Sequence, residues 1–140
     1  MKIGVLPVIA LASTMLLTST PLSNAASKCL KVSSYLPKQI LSGNESSTGK
    51  LTFMKASAIK SPDFSKVYFV AIRFKARGVG AQTGVWATNA LPQRVGDNQG
   101  ILMAVDGFAQ QFTVWPDGDR SQAQISKADP SVLGARNCLR

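Results

Sequence analysis

The chain is 140 residues long, 45% apolar, with two cysteines and a formal charge of +9 at neutral pH. It contains no histidine. That removes the commonest general base and metal ligand, and it excludes serine–histidine and cysteine–histidine nucleophiles. A strongly basic balance attracts anionic partners: phosphate-rich wall polymers, lipid headgroups, nucleic acid or an acidic protein. The same charge also serves simply to keep a protein in solution.

The first segment reads as an export signal. Lys2 precedes an apolar run from Gly4 to Leu17, broken by Pro7, Ser13 and Thr14. A polar, helix-breaking stretch from Thr18 to Asn24 follows, and Ser23 and Ala25 place small residues at a cleavage site after Ala25. The apolar run is shorter than a spanning helix needs, so residues 1–25 are expected to be a cleavable signal peptide. Lys28 before Cys29 argues against lipid attachment, which requires a small residue there. Residues 26–140 are then expected to form one small globular domain, secreted or held in the cell envelope, with no membrane-spanning segment.

Cys29 and Cys138 bracket that domain. In an exported chain an even cysteine count reads as disulfide bonding. An intramolecular bond is expected over a free thiol pair or an intermolecular link. In the chain-entropy picture it would stabilise the fold by roughly 4–5 kcal/mol. Charge is divided unevenly: residues 26–77 hold ten Lys/Arg against Glu45 and Asp63, whereas residues 78–140 hold five Lys/Arg against five Asp.

In chain order, Leu30–Tyr35 suggests a short strand, and Ser34 and Pro37 open a helical turn through Leu41. Ser42–Gly49 is polar and bracketed by glycine, hence a loop. Leu51–Ile59 alternates imperfectly and predicts a strand, ended by a turn at Ser61-Pro62-Asp63. Lys66–Arg77 is the clearest element. Tyr68, Val70, Ile72, Phe74 and Ala76 share one face, while the other runs from Val67, Phe69 and Ala71 to Arg73, Lys75 and Arg77. That pattern predicts a strand buried on both faces at its start and on one face at its end. Gly78, Gly80 and Gly84 suggest a loop before a short strand at Val85–Thr88, with Trp86 facing the core. Leu91–Gly100 reads as a loop. Ile101–Phe112 matches both helical and strand spacing; its length favours a helix despite Gly107. Trp115–Asp119 reads as a turn and Gln122–Ile125 as a short strand. Asp129-Pro130 opens a final helix to Cys138 that would turn Val132 and Leu133 inward. The expected fold is α+β: an antiparallel sheet packed by about two helices, with the termini joined by one disulfide.

Chemical motifs are few. Asp117 and Asp119 sit close together, but a calcium loop counted from Asp117 would need glycine and a carboxylate where Gln122 and Ala128 stand, so a solvated turn is expected. Gly43–Lys50 has the wrong spacing for a phosphate-cradling loop and lacks the hydroxyl after the lysine. Gly78-Val79-Gly80 lacks a third glycine at dinucleotide-loop spacing, so no nucleotide cofactor is expected. Ser47…Lys50 and Ser57…Lys60 match a serine–lysine pair without its companion motifs and read as chance. Asn44-Glu45-Ser46 is a glycosylation acceptor only in a eukaryotic host. Trp86 and Trp115 suit core packing better than a carbohydrate platform. No catalytic residue, metal ligand or cofactor is assigned.

One feature remains. Arg73, Lys75 and Arg77 project from one strand face about 7 Å apart, and Lys50, Lys55, Lys60 and Lys66 could extend the patch. The segments Val67–Ala71, Gly84–Asn89 and Ala104–Ala109, with Phe112 and Trp115-Pro116, resemble uncharacterised small exported proteins of actinobacterial type. The resemblance covers about residues 67–138 and implies a bacterial extracellular or envelope setting; it carries no site residue. The expectation is a non-enzymatic binding protein whose basic face, Arg73, Lys75 and Arg77 with Lys55, Lys60 and Lys66, holds an anionic cell-surface polymer or an acidic protein. The alternative is an inhibitor or accessory protein docking through residues 78–84 or 90–100. Less favoured is a small hydrolase using Asp with Lys or Arg, which would need a pocket holding two aspartates or one with a cation.

Overall fold

The alternating segment becomes the central strand of the sheet. In the computed structural model, which describes residues 28–140, β2 (Tyr68–Ala76) lies between β1 (Thr52–Lys60) and β3 (Gly80–Thr88). A short β4 (Leu102–Ala104) completes an antiparallel sheet in the order β1-β2-β3-β4. Three helices cover it: α1 (Tyr35–Ser42), α2 (Gly107–Phe112) and α3 (Pro130–Asn137), with a single 3-10 turn at Gly118–Arg120. The fold is α+β, with three helices where about two were expected. The predicted signal peptide lies outside the described residues.

Both faces of the sheet are covered, each by a different helix set. Val70, Ile72, Phe74 and Trp86 pack with Leu36, Ile40 and Leu41 of α1 and with Ala109 and Phe112 of α2. Phe74 meets Phe112 edge-on at a centroid distance of 5.4 Å, a favoured aromatic geometry. Trp86 Nε1 donates to Thr113 Oγ1 at 3.1 Å, so its one polar atom is satisfied in the core. On the opposite face Ile59, Phe69, Ala71, Val85 and Ala87 pack against Val132 and Ala135 of α3, with Val105 and Ile125. At the far end of β2, Phe74 and Ala76 are buried while Arg73, Lys75 and Arg77 are exposed, as the sequence pattern requires.

Several local expectations are corrected. Residues 78–84 are not a loop: after a tight turn with Gly78 at φ +80, β3 begins at Gly80. Gly84 lies inside that strand opposite Ile72, where a Cβ would come within 2.6 Å of Trp86 Cη2. Ile101–Phe112 is not one helix. It splits into β4 and α2 because the buried Asp106 caps α2, accepting from Ala109 N at 2.9 Å. Leu30 makes only a single antiparallel bridge to Ala58, and Tyr35 already begins α1. Gln122–Ile125 is not a strand; Gln124 has φ +48, which breaks an extended run. In α3, Val132 is buried as expected, but Leu133 is 62% exposed and Ala135 takes the inward place.

Cys29 and Cys138 form a disulfide with Cα atoms 5.6 Å apart. It ties the segment beside β1 to the C-terminal end of α3. Among the described residues no helix is long and apolar enough to cross a membrane.

Candidate anion-binding face

Strand parity decides which predicted cations meet. Residues two apart on β2 share a face, so Arg73 and Lys75 continue the line of Phe69 and Ala71, and Arg77 follows, exposed, in the turn immediately after the strand. Lys55 of β1 is registered opposite Arg73, and Thr83 of β3 flanks it on the other side. Lys55 therefore joins the row. Lys60, five residues further along β1, falls on the opposite face, opposite Tyr68. Lys66 stands in the β1–β2 connection with φ +62, at the other end of β2. Lys50 lines a different cleft with Lys38, Leu41 and Phe53. The expected six-residue patch thus reduces to Lys55, Arg73, Lys75 and Arg77.

Two members were not found from sequence. Arg136 and Arg140, at the end of α3, join Arg73, Thr83, Leu133 and Leu139 around a cleft of about 350 Å³. They stand more than sixty residues from Arg73, and only helix docking brings them there. Arg136 is fixed in place: its guanidinium donates to Asp106 Oδ2 at 2.5 Å and to the Thr83 carbonyl at 3.3 Å. Lys55 Nζ donates to the Leu139 carbonyl at 2.8 Å, which binds the sheet edge to the chain beyond α3.

The charges of the row are uncompensated. Among the described residues the ion pairs are Arg94–Asp97, Arg120–Asp117 and Arg136–Asp106, all within the second half of the chain. Arg73, Lys75 and Arg77 take part in none. Lys55 directly opposite Arg73 is a like-charge cross-strand pair, which costs a few tenths to about 1 kcal/mol. Lys55 is held there by its bonds to the Leu139 and Arg140 carbonyls, whereas Arg73 makes no ion pair.

Other constellations resolve into structural roles. A second cleft holds Asp106, Asp129, Lys127 and Arg136, the composition an acid–base enzyme of this chain would need. Both carboxylates are helix caps: Asp106 serves α2 and Arg136, and Asp129 Oδ1 accepts from Ser131 N at 2.7 Å. Asp117 Oδ1 accepts from Gln110 Nε2 at 2.9 Å and from Asp119 N at 3.0 Å, holding its own turn. No cluster of three His, Cys, Asp or Glu suited to a metal occurs among the described residues. Trp86 is fully buried, and the half-buried Trp115 donates to the Ile40 carbonyl at 2.8 Å, so neither offers a stacking platform. Compared with known proteins, the chain matches no family model, no curated protein and no solved structure.

Proposed function

We propose that this is a secreted or envelope-associated binding protein, without catalytic chemistry, that holds an anionic cell-surface partner on the face formed by Lys55, Arg73, Lys75 and Arg77. The observation that carries the reading is the cationic row itself, without an ion pair to any carboxylate side chain and with two like charges registered opposite each other at its head. A disulfide between the ends of the domain supports an oxidising location. Arg73 and Lys75 lie on a strand paired on both sides, Arg73 with Lys55 and Thr83 and Lys75 with Thr52 and Ala81. Those two charges are therefore presented from the sheet rather than from a tail.

The test is chromatography on phosphocellulose across a salt gradient. The parent should be retained and should elute as salt screens the contacts. Arg73→Ala, Lys75→Ala and Arg77→Ala together should remove most of the retention. A charge-matched control, Lys50→Ala, Lys60→Ala and Lys66→Ala, should leave most of it, because those cations lie elsewhere. Equal losses in the two variants would reduce the face to general charge and defeat the reading. A partner held regardless of salt would favour the alternative, docking through residues 90–100. There Val95 is 83% exposed on a loop pinned by Asp97, which accepts from Gln93 N and Arg94 N.

A further inference from the structure

We infer that the anionic partner is a phospholipid bilayer surface, with the Arg73–Arg136–Arg140 cleft taking a headgroup phosphate. This rests on the basic-face reading and adds an observation that the charges alone do not contain. Exposed large apolar side chains accompany the cations. Leu133, 62% exposed, stands on the wall of the arginine cleft, and Leu139 lines the same cleft. Val79, 55% exposed, lies at the turn two residues beyond Arg77. Met54, 43% exposed, falls at the β1 irregularity immediately before Lys55.

A soluble polyanion would match the cations and leave these apolar groups in water. A bilayer surface takes both: phosphates meet the guanidinium and ammonium groups, and the boundary of the acyl region receives aliphatic side chains just beneath. The cleft suits a phosphate. Guanidinium groups form forked hydrogen bonds to phosphate oxygens, and Arg136 is already oriented by Asp106 and Thr83. Its charge is balanced by Asp106, so Arg73 and Arg140 supply the attraction at that end of the row. Lys75 and Arg77 continue it toward Val79. Their aliphatic stems can lie along the interface with the charged heads at phosphate level.

The experiment is sedimentation with vesicles of phosphatidylcholine alone and of phosphatidylcholine mixed with phosphatidylglycerol. The protein is the form recovered from its producing cells, with its N-terminal residue determined. It should bind the mixed vesicles and ignore the neutral ones. Each basic residue near an anionic leaflet is worth about fivefold in affinity, so the Arg73, Lys75 and Arg77 triple alanine variant should lose about a hundredfold. Val79→Ser with Met54→Ser should weaken vesicle binding by about tenfold or more and leave phosphocellulose retention unchanged, since neither side chain lines the arginine cleft. Both side chains are exposed, so the melting temperature of that variant should match the parent. Two results overturn the bilayer inference and leave the basic face standing: retention on phosphocellulose without binding to mixed vesicles, or vesicle binding unchanged by the two serine substitutions. Equal binding to neutral vesicles also overturns it, since headgroup charge would then not be read. Failure on both phosphocellulose and mixed vesicles overturns the inference and the basic-face reading together.

Discussion

Gly84 shows how one residue sets the packing of a whole face. A glycine inside a strand usually weakens it, having no side chain to pack. Here the ring of Trp86, the next residue on the same face, folds back over the glycine and occupies the space a Cβ would need, and Ala109 N closes the gap at 3.1 Å. Gly84→Ala must displace the largest fully buried side chain of the core. We expect a loss of about 2–3 kcal/mol in urea unfolding, with altered tryptophan fluorescence in the folded state. An alanine variant as stable as the parent would show that the indole has room to move. The same scale governs the candidate site. Lys55 belongs to the cationic row and Lys60 does not, solely because their separation of five residues is an odd number in an alternating strand.

Among the elements, α3 is the most dependent on distant partners. Its Arg136 reaches Asp106, which also caps α2, so one buried carboxylate fastens two helices to the sheet. Asp106→Ala should cost about 2–4 kcal/mol, combining a lost cap with a half-buried guanidinium left unpaired. Asp106→Asn, which keeps an acceptor for Ala109 N, should cost less; urea midpoints of the two variants check the order. How far such elements could be read from sequence varied with the length of the pattern. β2 was legible because an unbroken apolar run, Tyr68 to Ile72, passes directly into apolar–basic alternation to Ala76, the pattern of a strand covered on both faces at its start and on one at its end. The 101–112 window was not, because three residues of strand and six of helix are each too short to establish a period. The glycines of β3 read as a loop, since nothing local reveals that Gly84 is reserved for an indole. In α3 the inward places go to small residues because the helix lies tight on β1. A Cβ on Gly134 would come within 2.8 Å of Ile59 Cδ1, and Leu133 is turned out. For the same reason the cleft beside Leu133 was invisible: its arginines converge through helix docking, not through spacing.

For the molecule as a whole, the Cys29–Cys138 bond spans 109 positions and joins two ends that would otherwise fray. Replacing both cysteines by serine should cost about 4–5 kcal/mol on the chain-entropy argument and lower the urea midpoint. The parent in dithiothreitol should behave in the same way, and an unchanged midpoint in both would remove the bond from the account of stability. Its position also bears on how the chain assembles. Each strand pairs with its neighbour in sequence, so the sheet needs no crossover connection. The two sulfurs meet where the end of α3 lies beside the segment bridged to β1 through Leu30 and Ala58. With two cysteines in the chain there is no wrong intramolecular partner to undo. Oxidation therefore needs no shuffling step and works as a single latch between the first and last segments of the folded domain.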